Sequence, residues 1–163
     1  MSTSTRDLFN LNSKIALVTG ASSGLGWHFA KVLAAAGAHV VVAARRKVRL
    51  QALCDEIAAD GGKASAVTLD VTDAQSVTAC FNACEKVAGV PDIVVSNAGT
   101  TITKMAVDQT PEDFDQVMNA NLRGCWLVDT EAARRLIAAQ KPGSIINIAS
   151  ILGERVAAAV APY

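Results

Sequence analysis

The stretch that decides the fold is "KIALVTGASSGLGWHFAKVLAAAG", Lys14 to Gly37. "KIALVTG" is a short apolar run that stops at Gly20 and reads as a buried strand. "GLGWHFAKVLAAAG" has helical spacing and is closed by Gly37, a residue that tolerates the left-handed conformation at a helix end. Between them lies "TGASSGLG", Thr19 to Gly26, with the spacing G-x-x-x-G-x-G. Glycines at such a strand-to-helix turn permit tight geometry and close backbone approach, and the free N–H groups of the helix start face an anion. The spacing is not the G-x-G-x-x-G fingerprint, and no Gly-Lys-Ser/Thr follows as in a nucleoside triphosphatase loop.

Outward from this turn the alternation continues. "AHVVVAAR" reads as a strand and "RKVRLQALCDEIAAD" as a helix ended by Gly61 and Gly62. "KASAVTLD" is a third strand, and Thr72 with Gln75 gives a capping-box start for a helix to about Val87. "PDIVVSNAG" is a fourth strand. Thr110 followed by Pro111 opens a helix to about Gln140, with Gly124 as its weak point, and "GSIINIAS" is a fifth strand. The strands are continuous Val/Ile/Ala runs, which argues burial on both faces. Strands alternating with helices make parallel βαβ units. The expected fold is therefore α/β: a Rossmann-type, doubly wound parallel sheet with helices on both faces. Its ligand crevice lies at the carboxyl ends of the strands.

The bulk numbers agree with one globular domain over residues 1–163. Half the residues are apolar (51%) and 18% are charged, and fifteen cations balance fifteen anions. That balance offers no basic field for nucleic acid. The densest basic cluster is Arg45, Arg46, Lys47 and Arg49. Cys54, Cys80, Cys84 and Cys125 form no disulfide framework, and Cys80 and Cys84, one helical turn apart, read as a buried helix face. His28 and His39 lack the spacing to complete a metal site with them. The N-terminal "MSTSTRDLFNLNSK" is polar, and no run approaches membrane-spanning length. A cytoplasmic protein without a membrane partner is expected.

"TGASSGLG" resembles the cofactor motif of the short-chain dehydrogenase/reductase family, and further motifs match in the same order. "LDV" (Leu69 to Val71) resembles the segment that contacts adenine, and "NAG" (Asn97 to Gly99) the motif closing the fourth strand. Asn121 in "NANLRG", Ser150 in "INIAS" and Tyr163, thirteen residues after Ser150, match the active-site asparagine, serine and tyrosine. The resemblance runs from about Phe9 to the last residue. It implies a dinucleotide held by Gly20, Ser22, Ser23, Gly24, Leu25, Gly26, Asp70, Val71, Asn97, Ala98 and Gly99. At the end of the second strand, NAD enzymes carry a carboxylate for the ribose hydroxyls. Here Ala44 is followed by Arg45 and Arg46. A guanidinium can hold a 2′-phosphate bidentately, so NADP is expected, with Arg45 as the favoured contact and NAD as the alternative.

The implied chemistry is hydride transfer between the nicotinamide and a small carbonyl or secondary alcohol substrate. Tyr163 would exchange the proton, Ser150 would orient and polarise the substrate oxygen, and Asn121 would hold a water in the proton path. A free phenol titrates at about 10, and the family lowers it with a lysine four residues after the tyrosine. That position falls beyond Tyr163. The sequence therefore reads as a portion of a longer enzyme whose last strands are missing. The fifth strand is then left as an uncovered apolar edge, and relatives assemble as tetramers or dimers. A non-catalytic dinucleotide-binding module is the competing expectation, and an extended-branch sugar-nucleotide epimerase a weaker one. "LGERVAAAVA", between Ser150 and Tyr163, would line one side of a substrate pocket.

Overall fold

The computed structural model describes residues 9–163; the polar stretch read at residues 1–8 lies outside them. Five strands form one sheet: β1 (Ile15–Thr19), β2 (His39–Ala44), β3 (Lys63–Thr68), β4 (Ile93–Ser96) and β5 (Ser144–Asn147). Their order is β3-β2-β1-β4-β5, and every pairing is parallel. The chain starts in the middle of the sheet, winds out to β3, and crosses back to build β4 and β5. That reversal beside β1 opens a crevice at the strands' carboxyl ends.

Helices α1 (Gly24–Ala35) and α2 (Lys47–Ala59) cover one face of the sheet; α3 (Ala74–Val87) and α5 (Gly124–Ala138) cover the other, and the shorter α4 (Pro111–Met118) precedes α5. Because successive strand residues point to opposite faces, β1 and β2 feed both cores at once. Ala16, Val18, Val40 and Val42 pack with Leu50, Leu53 and Ile57, whereas Leu17, Val41 and Ala43 pack with Val77, Phe81 and Val128. This two-sided burial is why the strands read as unbroken apolar runs. Cys80 and Cys84 lie buried in the second core, as their spacing suggested, and burial pushes both thiols up to about 12.

Three local expectations are corrected. The cap of α3 is Asp73, not Thr72: the Asp73 carboxylate accepts the Gln75 N–H at 2.9 Å. Thr72 is engaged elsewhere, its N–H and hydroxyl both donating to Asp70 Oδ1 at 3.0 and 2.8 Å. The helix expected from Pro111 to about Gln140 is interrupted by a widened, π-type turn, Asn119–Arg123, between α4 and α5. The turn ends at Gly124, where a Cβ would stand 2.8 Å from Val71 Cγ2. The close approach of α5 to Val71 thus needs glycine, and the preceding bulge lets the helix reach it. The start of α4 is as expected, with Thr110 and Asp113 forming a reciprocal capping box and Pro111 in its first turn.

The third correction concerns the fifth strand, which stops at Asn147 rather than reaching Ser150. One further sheet bond follows, Ile148 N–H to Ser96 C=O at 3.0 Å, and the chain then turns away. All four residues of β5 are exposed, and Ile145, Ile146 and Ile148 show 37, 44 and 36% of their surface. The apolar edge expected from the sequence is present.

Candidate functional site

The site is assembled at the carboxyl ends of β1, β2 and β4, beginning with Thr19. Its buried hydroxyl accepts the N–H groups of Asn97 and Ala98, both at 3.0 Å, and donates to the Val95 carbonyl at 3.3 Å. The Asn97 amide returns the tie by donating to the Thr19 carbonyl at 2.9 Å. Four bonds thus hold the end of β1 against the Asn-Ala-Gly turn. Gly20 sits in this clamp with φ +67°, and a Cβ there would lie 2.8 Å from Ala98 Cα. A Cβ on Gly26 would lie 2.5 Å from Asn97 Nδ2 and 2.6 Å from the Gly20 carbonyl oxygen. Two of the three glycines are therefore required by contact. Gly24, at φ +58° with open space around it, is required by backbone conformation.

Ser23 occupies the N-cap of α1 yet makes no capping bond with its side chain. Its hydroxyl accepts instead from Arg46 Nη2 at 2.8 Å. Ser22 Oγ accepts from the same guanidinium twice, from Nε at 3.1 Å and Nη2 at 2.8 Å. The first-turn N–H groups of α1 are left without a side-chain acceptor, the state in which a helix start receives an anion.

A cavity of about 770 Å³ opens over this turn. Gly20, Ser22, Ser23, Leu25, Arg45, Asp70, Val71, Asn97, Ala98 and Gly99 all line it, and so ten of the twelve residues expected to hold a cofactor meet at one surface. Gly24 and Gly26 shape the turn without lining the cavity. Arg46 lines it as well. Asp70 is oriented by Thr72, whose N–H and then hydroxyl hold the carboxyl below the usual carboxylate range; the Arg45 charge adds to them against the opposing effect of burial.

Among the wall residues missed in the sequence are Thr100, Gln116 and Asn119. Gln116 and Asn119 come from the end of α4 and the widened turn, whose course no local pattern announced. Thr19 was visible as a residue but not as a part, and Arg46 was named beside Arg45 without its serine partners. Their partners lie far along the chain, so only the folded register brings them together.

The residues expected to be catalytic are placed differently. Asn121, Ser150 and Tyr163 do not line the cavity. Both ends of the Asn121 side chain are engaged with Thr100: its amide donates to the Thr100 carbonyl at 2.9 Å, and its Oδ1 accepts the Thr100 N–H at 2.8 Å. Ser150 leaves the carboxyl end of β5, the same end of the sheet as Gly20 and Asn97. Its hydroxyl accepts the Leu152 N–H at 3.2 Å, capping a short 3-10 turn, Ile151–Gly153. The following segment returns beside Lys104, which donates its N–H to the Ala159 carbonyl at 2.9 Å and bridges to Val160. Tyr163 follows this bridge and is about half exposed. No residue of "LGERVAAAVA" contributes to the cavity wall, and Val156 is fully exposed.

The electrostatics suit a phosphorylated nucleotide. Arg45 and Arg46 stand at the end of β2, and Asp70, the wall's acidic residue, accepts the bonds of Thr72. The residues fit a dinucleotide: a glycine cradle that a Cβ would fill, an uncapped helix start and a fixed guanidinium. Among the described residues no group of His, Cys, Asp and Glu is placed to hold a metal ion, and no helix is long and apolar enough to cross a membrane.

Comparison with known proteins agrees with this geometry. The family model described as short chain dehydrogenase matches residues 14–163. Gluconate 5-dehydrogenase of Gluconobacter oxydans is 37% identical over 157 residues, covering 96% of this chain and 61% of that protein. The crystal structure of a short-chain type dehydrogenase/reductase from Mycobacterium marinum superposes with a TM-score of 0.94 at 38% identity, covering 99% of this chain and 66% of that one. A gluconate 5-dehydrogenase from Burkholderia cenocepacia, solved with NADP and tartrate, gives a TM-score of 0.90 at 33% identity, covering 98% of this chain and 62% of that one. The chain thus spans less than two thirds of the length of these proteins. With the glycine cradle, the Asn-Ala-Gly clamp and the sheet order in agreement, the chain belongs to the short-chain dehydrogenase family.

Proposed function

We propose that this chain belongs to an NADP(H)-dependent oxidoreductase that interconverts a small carbonyl compound and its secondary alcohol. The carrying observation is the Arg46 guanidinium, held by the Ser22 and Ser23 hydroxyls on the wall of the glycine-turn cavity, where β2 ends in Ala44 and no carboxylate. Cation and hydroxyls form a rigid polar corner matched to a 2′-phosphate. The NADP in the similar Burkholderia enzyme supports the reading. NAD is the alternative dinucleotide.

Gly20, Gly24 and Gly26 would bring the backbone against the pyrophosphate, with Ser22, Ser23 and Leu25 around it. Asp70 and Val71 would flank the adenine, and Asn97, Ala98 and Gly99 the ribose beyond. The bound dinucleotide supplies or accepts the hydride. Ser150 would orient the substrate oxygen, Tyr163 would give or take its proton, and Asn121 would act from the widened turn through its hold on Thr100. A cytoplasmic homo-oligomer, tetramer or dimer, is the proposed form.

Titration of NADP+ and NAD+ by calorimetry tests the cofactor assignment. Replacing Arg46 by Ala is expected to raise the NADP+ Kd about tenfold or more while NAD+ changes little, because charge-assisted bonds are worth about 1.5–3 kcal/mol. Equal loss for both dinucleotides would remove Arg46 from phosphate recognition. For the chemistry, Tyr163→Phe should abolish ketone-dependent NADPH oxidation with NADP+ affinity preserved.

A second reading, a dinucleotide-binding module without turnover, rests on a specific observation: Asn121, Ser150 and Tyr163 stand off the cavity wall. Tight NADPH binding with no oxidation across a panel of ketones would favour it.

A further inference from the structure

Behind the phosphate corner, outside the cavity, the two helix starts are joined by a stacked pair. Arg49, in the first turn of α2, places its guanidinium carbon 4.9 Å from the ring centroid of Trp27, near the start of α1. The ring is fixed along its edge too: Trp27 Nε1 donates to Glu56 Oε2 at 3.3 Å, and Lys31 reaches the same oxygen at 3.3 Å. Arg49 Nε also points at the Ser22 carbonyl, at 3.4 Å. Its own N–H bonds the Arg46 carbonyl at 3.1 Å. Arg49 therefore touches both sides of the corner, the residue that presents the guanidinium and the serine that receives it, without lining the cavity.

We propose that Trp27 and Arg49 are positioning residues that set the preference for a 2′-phosphorylated dinucleotide, by locking the α1 and α2 starts so that Arg46 and the Ser22 and Ser23 hydroxyls are pre-arranged. This rests on the NADP reading above. A flat guanidinium over an indole face resists sliding in a way a flexible ammonium does not. Ser22 and Ser23 accept from Arg46 and keep their own hydroxyl protons for a phosphate oxygen. Preorganisation of this kind enters affinity as a conformational cost removed before binding. It should act on the dinucleotide that uses the corner and spare the one that does not.

The test is calorimetric titration of NADP+ and NAD+ on the chain and four variants, with thermal melts alongside. Arg49→Lys keeps the charge and removes the planar stack; it is expected to raise the NADP+ Kd about three- to fivefold, with NAD+ unchanged. Trp27→Ala should give the same change, Trp27→Phe should stay near the parent because a π face remains, and the Arg49→Lys/Trp27→Ala pair should be no worse than either alone. Arg49 is exposed, so Arg49→Lys carries the test even if Trp27→Ala melts early. Parent-like NADP+ binding by Arg49→Lys, parallel weakening of both dinucleotides, or additive losses in the pair would overturn the proposal. A parent chain that binds NADP+ and NAD+ equally would overturn the NADP reading and this inference with it. A parent that prefers NADP+, with unmoved variants, would overturn this inference alone.

Discussion

The two sides of the sheet differ in how their polar groups are tied. On the β2-β1 side the strands are buried, and the corner above them is crossed by bonds that run between elements: Arg46 to Ser22 and Ser23, Thr19 to Asn97 and Ala98. On the β5 side every strand residue is exposed, and Ser150 and Tyr163 make short-range bonds within their own segments. The outer strands repeat the contrast. β3 shows solvent Lys63, Ala66 and Thr68, whereas β5 shows Ile145 and Ile146. The lesson is that binding and chemistry are built on unequal foundations here. The nucleotide corner is held by contacts between elements, as is Asn121 through Thr100, whereas Ser150 and Tyr163 are held only locally.

The first way to break that contrast is to damage the rigid corner. Gly26→Val would drive a side chain into Asn97 Nδ2 and the Gly20 carbonyl. It is expected to cost about 1–3 kcal/mol of stability, read as a lower melting temperature, and to abolish calorimetric NADP+ binding. Near-parent binding by this variant would show the cradle to be soft.

A smaller effect is expected at the joint between the two sides. Asp92 is buried under the sheet, where its carboxylate accepts the Ile15 N–H at 2.9 Å and pairs with Lys141 at 3.1 Å and Lys14 at 3.6 Å. Burial pushes this carboxyl up, but the Ile15 bond, the Lys141 bond and the two lysine charges together hold it below its ordinary value. A carboxyl whose folded pKa is depressed contributes stability above its unfolded value of about 3.9, and that contribution is lost as pH falls through the folded value. The parent should therefore lose stability below about pH 4 more steeply than Asp92→Asn. At neutral pH the variant should be weaker by about 1–3 kcal/mol in urea denaturation. Overlapping pH profiles would show that Asp92 does not join the halves electrostatically.

The least energetic change sharpens the contrast at the open edge. Ile146→Lys adds charge to an exposed position on β5. It should alter stability by no more than about 0.5 kcal/mol while reducing concentration-dependent association in sedimentation runs.

The same division governs what could be read in the sequence. Strands β1, β2 and β4 were legible because burial leaves unbroken apolar runs, and the helices because Gly37 and Pro111 mark their ends locally. The glycine turn was legible for the same local reason. The cap of α3 was misassigned by one residue, since Thr72 and Asp73 are both good caps and only the Asp70 contact decides between them. Gly124 was legible as a weak point but the widened turn before it was not, because the contact that requires glycine there is with Val71 on a distant segment. Arg46 was named second to Arg45, because side-chain direction at the end of β2 depends on where Ser22 and Ser23 fold. Ser150 and Tyr163 could be matched by spacing, but spacing carries no information on which wall they face.

Ser23 stands where a helix normally receives its cap, and its hydroxyl is turned towards a neighbouring cation instead. A nucleotide phosphate at that helix start would meet first-turn N–H groups that no side chain caps, and its binding would add to the stability of the fold. Heat resistance should therefore climb with the logarithm of nucleotide concentration, making the melting curve itself a gauge of occupancy.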